Sequence, residues 1–271
     1  MSLCAKCQKP LTLDIDEDDY SDNEGDSSMQ SSSTSSPQTV PDDVQLSCGD
    51  HFHWQCLLDA YDTTKCPSCD SDITTGPQNS ASNLQILVNL NNEGGLQEGL
   101  DIFDLLHEES YLRAYPEERK SRAFLEFCRE GDHKAVIQLL QSSDGDLETD
   151  SDNEEDAMQT SAGQKSAAEI LRYQDPLGSQ QSGLHAAAAN GHREVAWLLL
   201  LLASEYPELE FPALVFQEAA SLGIMREDQT GLVDIRSLRD AAGRTAEDVA
   251  VQEGGVVWNG WIGVGRLRIP E

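Results

Sequence analysis

Basic residues are scarce in this chain. Its 271 residues include 18 lysines and arginines against 49 aspartates and glutamates, which gives a formal net charge of -31 at pH 7. So negative a chain repels the phosphates of nucleic acids and anionic lipid surfaces. Long apolar runs are lacking too. The run that comes closest to a membrane span, 195–203, is far shorter than the roughly 18 residues needed to cross a bilayer. We therefore expect neither nucleic acid nor a membrane as a partner, but proteins that carry basic patches.

Aromatic residues make up only 6% of the chain, which argues against one large core and favours a small metal module beside an α-helical part. The amino terminus lacks a signal peptide, so we expect an intracellular protein, cytoplasmic or nuclear, whose paired cysteines do not form disulfides. The sequence also lacks a glycine-rich phosphate loop, a nucleophile elbow and a helix with paired histidines beside a glutamate. We predict no catalytic residue.

The chain does contain a metal-ligand ladder between residues 4 and 69. Its members are Cys4, Cys7, Cys48, Asp50, His51, His53, Cys56, Cys66 and Cys69. Thiolate and imidazole are the ligands that tetrahedral zinc prefers, and two residues between paired cysteines form a tight turn whose sulfurs converge on one ion. Four pairs of ligands predict two zinc ions. With every coordination position filled by the protein, the zinc is expected to be structural and not to activate water.

This order of ligands resembles a RING finger of the variety with histidines in the middle. The resemblance covers residues 4–69 and rests on three features: the Cys4/Cys7 pair, the Phe-His-Trp-Gln-Cys run at 52–56 and the Cys-Pro-Ser-Cys run at 66–69. It implies a cross-braced arrangement in which the pairs alternate between two zinc ions. One set is then Cys4, Cys7, His53 and Cys56, and the other is Cys48, Cys66, Cys69 and one of Asp50 or His51. The family's spacing favours Asp50 and ligand chemistry favours His51, so both stay open.

The same resemblance implies a function. A RING finger binds a ubiquitin-conjugating enzyme and promotes ubiquitin transfer to a substrate, without a covalent intermediate of its own. The residues expected to contact the conjugating enzyme are Lys6, Leu57, Tyr61 and Pro67. Lys6 stands where the family has an apolar residue, and Asp70 stands where active ligases often carry a basic one. The alternative is a non-enzymatic adaptor in which zinc only folds the amino terminus.

Residues 1–75 are assigned to this RING-like zinc domain, with an insertion at 14–45 that is expected to be disordered. The insertion is acidic and then serine-rich, a composition that cannot bury enough apolar surface to offset the conformational entropy of the chain. Residues 76–98 are predicted to be a linker followed by a short strand, because apolar and polar residues alternate from Leu84 to Leu90.

Residues 99–255 are predicted to form a mainly α-helical domain of about three to four repeated units. The sharpest unit is 182–192, and weaker copies lie near Phe124 and Asp240. These units resemble ankyrin repeats, which implies antiparallel helix pairs stacked side by side and an unknown protein bound by the stack. An acidic insertion at 143–165 is expected to be a disordered loop.

The remaining helical and terminal residues are assigned structural roles. A further helix is predicted at 212–222. The carboxyl-terminal segment 256–271, with its tryptophans and glycines, is expected to be an extended piece that covers the last repeat. His185 and His192 are expected to make structural hydrogen bonds, and Cys128 to be buried. The predicted fold is thus a small zinc-binding domain and an ankyrin-repeat domain, with disordered acidic loops.

Overall fold

A computed structural model describes residues 3–15, 38–61, 64–75, 84–145, 165–253 and 255–269. The chain divides into two compact units, Met1–Ala114 and Tyr115–Glu271. Most of both acidic insertions, predicted at 14–45 and 143–165, lies outside the described residues. Within the described ranges, each helix is too short or too polar to cross a lipid bilayer.

Six short strands form two antiparallel sheets in the described part of the first unit. Their bounds are β1 Thr12–Ile15, β2 Gln38–Pro41, β3 Asp43–Gln45, β4 His51–Phe52, β5 Leu87–Asn92 and β6 Gly95–Asp101. β1 pairs with β2, and the larger sheet has the order β4-β3-β5-β6. Val44 in β3 is fully buried and lies opposite Phe52 of β4 and Leu90 of β5. The sheet therefore joins strands that lie within the metal-ligand ladder to strands that follow it in sequence.

The described residues of this unit also form two helices, α1 (Trp54–Ala60) and α2 (Phe103–Ala114). They share one core with the sheet, whose most buried members include Val44, Phe52, Leu57, Ile73, Ile86, Val88, Ile102 and Leu106. Arg113 of α2 donates hydrogen bonds to the carbonyls of Leu58 and Tyr61, at the end of α1 where carbonyls lack partners within the helix. Helix α2 is thus built into the first unit.

The first unit differs from the sequence-based assignment in two places. The ends of the insertion expected to be disordered at 14–45 are strands here, because β1, β2 and β3 gain backbone partners from one another and from distant strands. In the segment 76–98, the predicted alternation is confirmed by the burial of Ile86 and Val88, but β6 was not predicted. Its glycine-containing, polar sequence has little local strand propensity, and its pairing with β5 is decided by context.

The second unit is helical in its described residues. The α-helices are α3 Arg119–Glu130, α4 His133–Gly145, α5 Ala167–Leu171, α6 Gly183–Asn190, α7 Arg193–Ala203, α8 Ala213–Ser221 and α9 Ala246–Gln252. Short 3-10 helices lie at Pro116–Glu118, Glu208–Glu210, Ile235–Ser237 and Gly255–Trp258. The helix predicted at 212–222 is confirmed as α8.

Two pairs of consecutive helices are each joined by a tight turn, namely α3 with α4 and α6 with α7. In each pair the first helix ends at a glycine in the left-handed region, Gly131 (φ 84°) and Gly191 (φ 79°), where a side chain would be strained. A Cβ at Gly183, the first residue of α6, would lie 2.7 Å from the ring of Phe124 in α3. The glycine therefore permits the close approach of one pair to the next.

The third predicted repeat is incomplete, and the terminal segment is not extended. Helix α9 is capped by Thr245 and is followed by the 3-10 helix 255–258 and further turns. Trp258 is fully buried and Trp261 is 4% exposed. The indole N–H of Trp258 donates to the carbonyl of Ala188 in α6 at 2.8 Å. Burial of both tryptophans explains why the segment folds back in turns instead of running straight.

Candidate metal centre

Two turns of the same backbone form hold the C-x2-C pairs of the ladder. The N–H of Gln8 donates to the carbonyl of Cys4 at 2.9 Å, and the N–H of Asp70 donates to the carbonyl of Cys66 at 3.0 Å. Gln8 (φ 60°) and Asp70 (φ 56°) both adopt the left-handed conformation, which is uncommon outside glycine. At both positions this conformation turns the backbone directly after the second cysteine of the pair.

The first cluster consists of Cys4, Cys7, His53 and Cys56, whose ligand atoms lie within 4.8 Å of one another. The Nδ1 atom of His53 is 3.3 Å from the sulfur of Cys7, while Nε2 is 2.7 Å from the carbonyl oxygen of Pro10. Because a carbonyl only accepts, Nε2 carries the proton and Nδ1 directs its lone pair toward the sulfurs. This outer hydrogen bond orients the ring as a metal ligand.

Asp42 fixes the start of α1, which carries Cys56 and directly follows His53. This carboxylate is 7% exposed, and its Oδ1 accepts the backbone N–H of Trp54 at 3.0 Å. It satisfies one of the amides that have no partner within the helix. Nothing in the sequence distinguishes Asp42 from the many other carboxylates of the insertion.

The second cluster consists of Cys48, Asp50, Cys66 and Cys69, again with ligand atoms within 4.8 Å of one another. The Oδ2 atom of Asp50 lies 3.1 Å from the sulfur of Cys66 and 3.7 Å from the sulfur of Cys48. Hydrogen bonds from Cys69 and Cys66 lower the pKa of the Asp50 carboxyl group. The side chain is therefore an anionic oxygen ligand among three sulfurs.

His51 lies outside both clusters. Its Nδ1 atom is 2.7 Å from Oδ1 of Asp43, because β4 pairs with β3 and the two residues are near one another on adjacent strands. Side chains alternate along a strand, so Phe52 enters the core while His51 points to the other side. Of the two candidates for the fourth ligand, the structure places Asp50 in the cluster.

The donor atoms of each cluster are close enough together to hold one metal ion. Two sulfurs bound to one zinc at 2.3 Å lie about 3.8 Å apart, in keeping with ligand atoms within 4.8 Å of one another. Burial alone would raise the pKa of Cys4, but backbone hydrogen bonds at Cys7, His53 and Lys6 lower it to about 6. Burial raises the pKa of Cys56 to about 12, and the neighbouring thiols add to that rise. A bound cation reverses such a rise, because coordination deprotonates the thiol.

The residues expected to contact a conjugating enzyme are only partly accessible. Leu57 is fully buried and Tyr61 is 5% exposed, because both belong to the core between α1 and the sheet. Neither offers a surface to a partner, in contrast to the expectation. Pro67 is exposed, and the Lys6 ammonium lies 3.5 Å from a carboxylate oxygen of Asp59.

The histidines predicted to be structural in the second unit have that role. The Nε2–H of His185 donates to the carbonyl of Arg244 at 3.0 Å, and the Nε2–H of His192 donates to the carbonyl of Arg129 at 2.8 Å. Each therefore joins one helical unit to the next. Cys128 is fully buried, as predicted, and this burial raises the pKa of its thiol.

The fold and the two clusters define the first unit as a candidate metal-binding module beside a helical unit. No family model, curated protein or solved structure matches the chain.

Proposed function

We propose that each cluster binds one structural zinc ion. Three sulfurs with one imidazole suit zinc better than they suit calcium or magnesium, which prefer oxygen ligands. In the second cluster Asp50 supplies one oxygen beside three cysteines, and carboxylate is an established zinc ligand. The zinc ions would join segments that also share the hydrophobic core of this unit, and the free energy of metal binding would contribute directly to the stability of the first unit.

We propose further that this unit acts as a RING-like ubiquitin ligase module and that the ankyrin-like second unit recruits the substrate. The observation that carries the proposal is the interleaving of the two ligand sets along the chain. Cys4 and Cys7 join His53 and Cys56, while Cys48, which lies between them in sequence, joins ligands on the far side. Such alternation is what the RING resemblance implies.

A non-enzymatic adaptor is the second candidate, and a specific observation favours it. Leu57 and Tyr61 are buried in the core, and Lys6 lies beside Asp59. The surface left for a conjugating enzyme is therefore less apolar than a ligase would be expected to present. In the adaptor, the zinc ions fold the amino-terminal unit and the helical unit binds its partner without ubiquitin chemistry.

Auto-ubiquitination of the full chain separates the two candidates. The zinc-loaded protein would be incubated with ubiquitin, activating enzyme and a panel of conjugating enzymes. Chains are expected with the wild type and with Cys128→Ala, which removes a cysteine outside both clusters. Cys66→Ser removes a ligand and should abolish chain formation.

A second variant tests the surface itself. Lys6→Leu supplies the apolar side chain that the family carries at this position, and should increase chain formation by a ligase. Absence of chains in every combination, from protein that carries two zinc ions, refutes the ligase and leaves the adaptor.

A further inference from the structure

A cleft of about 300 Å³ lies between α4, α7 and α8 on the surface of the second unit. We call it the outer groove, because α4 and α7 are the second helices of their pairs. Except for three charged or titratable residues, its lining is apolar. Ile137 and Leu201 are nearly fully buried within it, whereas Leu214 is 73% exposed. An apolar residue so exposed at the mouth of an apolar cleft is typical of a surface that binds a partner.

One wall of the outer groove is held rigid by aromatic packing. The ring of Trp197 lies 5.4 Å from that of Phe211 and 4.4 Å from that of Trp261, measured between centroids. The Arg266 guanidinium lies 5.1 Å from the centroid of the Trp197 ring. The wall is therefore formed before any partner arrives, which reduces the entropy lost on binding.

The polar part of the lining contains two carboxylates and one histidine. It consists of Glu194, Glu218 and His133, whose Nε2 is 2.9 Å from Oε1 of Glu218. The Glu218 side chain is 52% exposed, and Glu194 is exposed as well. Carboxylates beside an apolar cleft favour a ligand that combines an apolar anchor with a positive charge.

From these features we propose that the outer groove binds a basic peptide segment of a partner protein, with one large apolar side chain in the cleft and a lysine or arginine beside Glu194 and Glu218. The groove would be the part of the second unit that recruits the substrate. Its binding of a basic peptide depends on the proposed function only for its biological purpose. A second copy of the chain is a poor occupant, because two molecules of net charge -31 repel each other. The volume suits one or two side chains, since it lies at the lower end of the range for ligand pockets.

Peptide selection on the full chain tests the chemistry of the occupant. A displayed library of random peptides would be selected on the wild type and counter-selected on Leu214→Lys, which places a charge at the mouth of the groove. Groove-specific peptides are expected to combine a large apolar residue with lysine or arginine. Enrichment of acidic or neutral peptides, or failure to obtain any groove-specific peptide, overturns the proposal.

Affinities of the selected peptides, labelled with a fluorophore and followed by anisotropy, then test the residues. Leu214→Lys should weaken binding about 10-fold or more, since it removes burial of an apolar side chain. Glu194→Lys with Glu218→Lys should weaken it by a similar factor, while Glu130→Lys, at the exposed end of α3, should leave it unchanged. Equal losses in all three variants would indicate a non-specific charge effect and refute the groove.

Two further measurements distinguish the other outcomes. Leu214→Lys should form ubiquitin chains to the same extent as the wild type. Failure of the ligase proposal can therefore be told apart from failure of the groove proposal. Sedimentation equilibrium of the wild type should give a monomer. A dimer that dissociates in Leu214→Lys would identify the groove as an interface between two copies and overturn the proposal of a basic partner.

Discussion

Substitution of Asp50 should remove one metal ion, whereas substitution of His51 should remove none. The Asp50 carboxylate lies 3.1 Å from the sulfur of Cys66 within the second cluster, whereas the His51 ring is 2.7 Å from a carboxylate oxygen of Asp43. Two residues adjacent in sequence thus have different functions. Asp50→Ala and His51→Gln therefore form a matched pair of variants.

The magnitudes follow from the partners of the two side chains. Structural zinc sites bind with about 10–16 kcal/mol at neutral pH, so one of four ligands contributes about 3 kcal/mol. Asp50→Ala should weaken the second site by about 100-fold. His51→Gln loses one hydrogen bond to Asp43 at the edge of the sheet, which lowers the free energy of unfolding by about 1 kcal/mol and leaves the affinity for zinc unchanged.

Competition with a chromogenic chelator measures both effects, with zinc per chain determined by elemental analysis. The wild type, His51→Gln and the control Asp70→Asn, which lies beside Cys69 but outside the cluster, should each retain two ions. Asp50→Ala should lose one ion at chelator concentrations that the wild type tolerates. If His51→Gln releases an ion while Asp50→Ala keeps both, the assignment of the fourth ligand is wrong.

Three predictions concern the second unit. Burial lowers the pKa of His185, so the unfolded chain binds more protons than the native state, and the free energy of unfolding should fall as pH drops below about 6.5. Urea titrations between about pH 5 and 8 should give a flatter dependence for His185→Asn, and an unchanged slope contradicts the reasoning. Trp258→Phe leaves the buried carbonyl of Ala188 without its indole donor and should reduce the free energy of unfolding by about 1–3 kcal/mol. A thermal midpoint equal to that of the wild type would show that this hydrogen bond does not stabilise the unit. Gly183→Ala places a methyl group 2.7 Å from the Phe124 ring and should lower the free energy of unfolding by about 1–3 kcal/mol. An unchanged free energy of unfolding in chemical denaturation would mean that α3 and α6 can move apart without cost.

The ladder was readable from sequence because its chemistry is local. Two cysteines separated by two residues can form a tight turn without help from distant residues. Both turns have the same backbone conformation, at Gln8 and at Asp70. The helix pairs were readable for a related reason, since Gly131 and Gly191 mark positive φ angles at their turns. In both cases a residue type satisfies a requirement that its neighbours impose.

Features that depend on distant partners were not readable. Most residues of strand β6 are exposed, and the strand exists through its pairing with β5. Leu57 and Tyr61 were expected to meet a partner, but they belong to a core that also contains Val88 of β5 and Leu106 of α2, which are far away in sequence. The choice of Asp50 over His51 likewise depended on Asp43, whose position follows from the pairing of β3 with β4.

The interleaving of the two ligand sets is the central claim, and cysteine alkylation of Cys56→Ser tests it most directly. Loss of Cys56 should weaken the first site about 100-fold, as loss of Asp50 weakens the second. At a chelator concentration that the wild type tolerates, mass spectrometry of the variant is therefore expected to find Cys4 and Cys7 alkylated, one zinc ion bound, and Cys48, Cys66 and Cys69 protected. If the pairs instead bind in sequence order, Cys66 and Cys69 will be alkylated while Cys4 and Cys7 stay protected. That pattern, or a wild type that binds no zinc when fully reduced, would contradict the account.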